Sequence, residues 1–125
     1  MKRILVFALF AVMAMSALAL ADDMKKDDAA KPVTMTGEVI DLYCYMDHSA
    51  TGMDHAKCAV SCIKKGLPVG FLSADGTMYV IIGKDHEPIN GMVADYAGKK
   101  STVTGTVKEN GGVKALELAT IAEAK

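Results

Sequence analysis

Apolar and polar residues alternate along "VTMTGEVIDLYC" (residues 33–44) with the period of two that marks a half-buried strand. The phase changes partway: Met35 and Val39 share one parity, whereas Ile40, Leu42 and Cys44 share the other. A one-residue slip between Gly37 and Ile40 predicts a bulge or sharp bend in a long first strand. "VGFLSADGTMYVII" reads as a hairpin that reverses at Ala74-Asp75-Gly76. "GKDHEPINGMVADYAGKK" predicts a short helix from about Pro88 to Ala97, stopped by Gly98. "STVTGTVKENGGVKALELATI" is a second hairpin, with Val103, Gly105 and Val107 facing inward and Asn110-Gly111-Gly112 as the turn. Glycine inside a strand has a cost, so Gly105 is read as a tight bend. Between the first strand and the first hairpin, residues 52–65 predict a further helix. Thr51 caps its start with Asp54 three residues on, Lys64 and Lys65 occupy its last turn, and Gly66 and Pro68 end it.

The order is therefore long strand, helical insertion, two strands, helix, two strands. This predicts a mainly β fold with helices: five antiparallel strands in an OB-fold-like barrel, a helical cysteine and histidine insertion (residues 44–66) between strands 1 and 2, and a helix between strands 3 and 4. A generic α+β sandwich is the alternative. "TVTGTVKENGGVKALELATI" resembles the last hairpin of small exported bacterial OB-fold proteins. The whole of residues 33–121 is similar to an uncharacterised group of such proteins that carry a cysteine and histidine insertion between the first two strands. That resemblance implies a fold and a compartment and no activity.

The N-terminus changes the picture by adding an address. Lys2 and Arg3, an apolar run from Ile4 to about Met15, and Ala19-Leu20-Ala21 form the three parts of a secretory signal peptide over residues 1–21. The apolar run is short of the ~20 residues a membrane span needs. Cleavage after Ala21 leaves a periplasmic or secreted protein with no stable membrane anchor. Residues 22–32, "DDMKKDDAAKP", read as a disordered charged arm, and residues 33–125 as one small domain. Losing Lys2 and Arg3 takes the formal charge from −1 to −3 and removes the only arginine. With no tryptophan and no basic stripe, nucleic acid is not an expected partner.

Candidate chemistry is concentrated in "CYMDHSATGMDHAKCAVSC", residues 44–62. Three cysteines in an oxidising compartment cannot all pair within one chain, so at least one is a free thiol, a metal ligand or an intermolecular partner. On a helix over residues 52–65, Met53, Ala56, Val60 and Ile63 make the apolar face, and Asp54, Lys57, Ser61, Lys64 and Lys65 the far side. His55, Cys58 and Cys62 fall between the two. Cys58 and Cys62 lie one turn apart, so both sulfurs reach one ion, whereas their nearly parallel Cα–Cβ bonds disfavour a disulfide. His55 is about 10 Å along the axis from Cys62, too far for both to share an ion on a straight helix. The expected donors are Cys44, Cys58 and Cys62, with His48 or His55 as the fourth.

Thiolates with an imidazole suit zinc or copper(I), and the thioethers of Met46 and Met53 favour copper slightly. The C-x3-C pair with a separate histidine resembles exported copper-handling proteins in spacing alone. His86, between Asp85 and Glu87, reads as a solvent-facing loop residue. No C-x2-C motif supports a thiol redox enzyme, and no phosphate loop, nucleophile elbow or facing carboxylate pair supports another one. The expected function is binding of a soft metal, zinc or copper, for sensing, buffering or delivery. The alternative is a module stapled by a disulfide from Cys44 to Cys58 or Cys62 that holds an exported protein partner without metal or catalysis.

Overall fold

The computed structural model describes residues 30–125. The signal peptide expected at residues 1–21 and most of the charged arm lie outside these residues. Regular structure begins at Val33, where the charged arm gives way to β-branched and apolar residues. There are five strands: β1 (Val33–Asp41), β2 (Val69–Ser73), β3 (Met78–Ile82), β4 (Lys100–Asn110) and β5 (Val113–Glu123). Helices α1 (Leu42–His48) and α2 (Ala56–Lys64) fill the connection between β1 and β2, and a short α3 (Asn90–Val93) with a 3-10 turn at Ala94–Tyr96 precedes β4. No helix among the described residues is long and apolar enough to cross a membrane.

The strands close into a ring in the order β1-β2-β3-β5-β4. The first strand is shared by both halves: residues 37–41 pair with β2, and residues 33–38 pair with β4. Four of the contacts are antiparallel, but β3 and β5 run parallel, which departs from the all-antiparallel expectation. The reason is parity. Strands joined by hairpins alternate in direction, and an odd number of them cannot alternate all the way round a closed ring.

At Gly37, where β1 pairs with both β2 and β4, the backbones come close. A Cβ there would collide with the Leu72 carbonyl oxygen and Ser73 Cα, so only glycine lets the two backbones approach this closely. No register shift accompanies this approach. The irregularity lies instead between Thr104 and Gly105 in the β4–β5 ladder, at the glycine read as a bend. The apparent phase slip in β1 has another cause: Val39, Ile40 and Asp41 are all buried, because the end of β1 is covered on both faces.

Inside the ring, Val39, Phe71, Ile81, Val103, Leu116 and Leu118 form the core, and Ala59 and Ile63 of α2 join it with Val93 and Ala94. The helix starts later than expected. Met53 lies outside it and is exposed, Thr51 does not cap it, and its buried residues are Ala59 and Ile63. Its end obeys the expected signals. Gly66 takes a left-handed φ of 95°, and the Leu67 N–H donates to the Cys62 carbonyl. Asn90 Nδ2 then donates to the carbonyls of Ile63 (2.9 Å) and Leu67 (2.8 Å), tying α2 to the segment before β4. Between the helices, the Gly52 N–H donates to Glu38 Oε1 (2.5 Å). Gly98 packs so tightly that a Cβ would strike Ala56 Cβ and the Gly52 carbonyl oxygen. The insertion is thus fixed to the sheet at several points.

Candidate metal centre

The first positioning element is the junction of β1 and α1. Alternation alone extends the strand to Cys44, but the chain turns helical at Leu42. Asp41 causes the switch: one carboxylate oxygen, Oδ1, accepts from the Tyr43 N–H (3.1 Å), an N-cap that starts a helix there. Cys44 consequently sits one turn into α1, pointing inward and 8 % exposed. The second element is α2, which presents Cys58 and Cys62 on successive turns, with His55 immediately before its first residue.

These elements bring five donors together. One ligand atom each from Cys44, His55 and Cys58 lies within 4.8 Å of the others, and the same holds for Asp41, Cys44 and Cys62. The Cys44 sulfur is the common vertex of the two groups. Donors around a tetrahedral zinc ion stand about 3.3–3.8 Å apart for bond lengths of about 2.0–2.3 Å, so modest side-chain movement turns such a group into a coordination shell. All three cysteines are free thiols, with Cys44 buried, Cys62 half-buried and Cys58 exposed.

Two atoms of this cluster are unusual. Among the described residues, Asp41 Oδ2 and His55 Nε2 are the buried side-chain oxygen and nitrogen atoms with no hydrogen-bond partner. Asp41 is 1 % exposed, and no salt bridge among the described residues reaches it. Buried polar atoms are nearly always paired, because leaving one unpaired costs roughly 1–3 kcal/mol. Both exceptions belong to residues of the two donor groups that share Cys44. The carboxylate also acts on the thiols. The Asp41 carboxylate, which attracts the thiol proton and repels a thiolate, acts with burial and with Cys58 and Cys62 to push the Cys44 thiol up to about 12. Burial foremost, then Asp41 and Cys58, holds Cys62 above the ordinary thiol range. Without a cation, the inner thiols therefore keep their protons.

The remaining residues of the expected site sit at its rim. His48 lies outside both donor groups. Its ring stands edge-on to His55 with centroids 5.7 Å apart, and Nδ1 lies 3.2 Å from the Asp47 carboxylate in solvent. Met46 and Met53 are 71 % and 66 % exposed. His86 is exposed in the 3-10 turn Lys84–His86 after β3, outside both donor groups. Asp41 is the donor that residue types alone did not single out. Its signal is a charged residue between Ile40 and Leu42, at the end of an apolar strand and in position to cap a helix that begins at the next residue. Comparison of the chain with protein-family models, with curated proteins and with solved structures finds no match.

Proposed function

We propose that this protein is an exported OB-fold-like domain that binds one soft metal ion in the helical insertion, zinc in preference to copper(I), for sensing, buffering or delivery. The observation that carries the reading is that the buried Cys44 sulfur belongs to two donor groups, one with His55 and Cys58 and one with Asp41 and Cys62, and that the two partnerless buried side-chain polar atoms among the described residues belong to His55 and Asp41. A cation held at Cys44 offsets the charge of the thiolates it binds and gives the imidazole or carboxylate that joins it a partner. The donor set favours zinc, which accepts thiolate, imidazole and carboxylate, whereas copper(I) prefers sulfur and gains little from a carboxylate. The strand order with its parallel β3–β5 contact supports the OB-like assignment. Export rests on the signal peptide in the sequence.

Zinc titration against a chromophoric chelator tests the binding. The wild-type protein is expected to compete for zinc. Serine at Cys44, Cys58 or Cys62 should each weaken binding by more than the ~10–100-fold that losing a ligand's orienting neighbour costs. Negligible affinity in the wild type and all three variants alike would refute the reading.

A further inference from the structure

We propose that the metal-free site closes by a disulfide between Cys44 and Cys58, so that thiol oxidation and metal binding exclude one another. The exclusion rests on the metal reading above, whereas the choice of pair rests on the geometry of the thiols alone. Cys44 belongs to α1 and Cys58 to α2, so their sulfurs, within 4.8 Å of each other, approach from two separate backbones. A bridge needs that arrangement. Cys58 and Cys62 rise from one helix four residues apart with nearly parallel Cα–Cβ bonds, which does not provide it.

Exposure separates the two partners available to Cys44. Cys58 shares a donor group with Cys44 and His55, and Cys62 shares one with Cys44 and Asp41. Cys58 is the exposed thiol, the one an oxidant reaches, whereas Cys62 is half-buried and Cys44 buried. The pair therefore has an outer attacking sulfur and an inner resolving sulfur.

With a low-molecular-weight disulfide such as glutathione disulfide as oxidant, the step runs in two exchanges. The Cys58 sulfur attacks one sulfur of the oxidant, whose S–S bond breaks, and one glutathione leaves with the Cys58 proton. The Cys44 sulfur then attacks Cys58, and the second glutathione leaves with the Cys44 proton as the new S–S bond forms. The protein loses two hydrogens, one disulfide becomes two thiols, and Cys62 stays reduced. In the loaded protein the same sulfur lone pairs are held on the ion.

Chelator-stripped and zinc-loaded protein are exposed to glutathione disulfide, alkylated, and mapped by mass spectrometry. The stripped protein is expected to show a Cys44–Cys58 link with alkylated Cys62, and to lose zinc affinity by more than about 100-fold, beyond what loss of an orienting neighbour costs. Reductant should restore it. Cys62→Ser should form the same link, Cys58→Ser should form none within the chain, and loaded wild-type protein should keep its thiols. Intact thiols in the stripped protein, a link to Cys62, or equal oxidation of loaded and stripped protein would overturn the proposal. Zinc binding without the link would overturn the disulfide alone. The link without zinc binding would overturn the exclusion together with the metal reading.

Discussion

The Asp41 carboxylate takes part in both the helix cap and the cluster. Oδ1 caps α1, Oδ2 is buried without a hydrogen-bond partner, and a carboxylate oxygen lies within 4.8 Å of the Cys44 and Cys62 sulfurs. Asn caps a helix about as well as Asp, so Asp41→Asn removes the charge while keeping α1 in place. Its expected effects are a Cys44 thiolate that forms at lower pH, read by thiolate absorbance, and weaker zinc binding. The same neighbour makes the metal-free protein sensitive to alkali. Cys44 rises from 9.0 to about 12 on folding, so the folded state holds this proton more tightly than the unfolded chain does. The stabilisation is full below pH 9 and is lost as pH rises towards 12. Urea unfolding of chelated protein across that window should show falling stability, and a flat profile would remove Cys44 from its buried, carboxylate-facing position. The cysteines and histidines announced themselves by residue type. Asp41 did not, because carboxylates are common on surfaces and only its position between buried neighbours sets it apart.

Among the elements, the hairpins were legible because period-two alternation and Asp-Gly or Asn-Gly-Gly turns reinforce each other over residues 69–82 and 101–121. Helix α1 was not. Leu42 and Cys44 continue the strand parity, and the capping bond that redirects the chain depends on a side chain whose other neighbours, Cys44 and Cys62, come from α1 and α2. The start of α2 was misplaced for a related reason: Met53 suits an apolar face, but the turn at residues 53–55 leaves it in solvent. Gly98 is where α2 meets the sheet. Its φ is 76°, and a Cβ would strike Ala56 and the Gly52 carbonyl. Gly98→Ala is expected to destabilise the fold by about 1–3 kcal/mol and to weaken zinc binding, although Gly98 offers no ligand. Gly91→Ala, in open space on α3, should stay within about 0.5 kcal/mol of wild type. Equal denaturation midpoints for the two variants would contradict this packing.

At the scale of the molecule, a closed five-strand sheet carries a helical insertion that packs into its core and holds most of the candidate donors. The insertion shares Ala59 and Ile63 with that core, so events at the cluster are felt by the fold. Zinc at 100 times its dissociation constant should raise the unfolding free energy by about 2.7 kcal/mol, seen as a higher urea midpoint. An unchanged midpoint would mean that zinc binds folded and unfolded chains alike. The number and succession of the strands were legible, whereas the parallel β3–β5 contact was not, although it follows from closing an odd number of strands into a ring. The approach of Cys44 to the cysteines of α2 and to His55 was legible from the donor types and their spacing, whereas the part of Asp41 was not, because it depends on where that residue ends the strand. The most direct measurement is the X-ray absorption spectrum of zinc-loaded protein at the metal edge. The expected shell contains sulfur at about 2.3 Å with at least one nitrogen or oxygen at about 2.0–2.2 Å, and Cys58→Ser should lose sulfur from it. A shell of oxygen and nitrogen alone, unchanged by that substitution, would contradict a metal site built on these thiols.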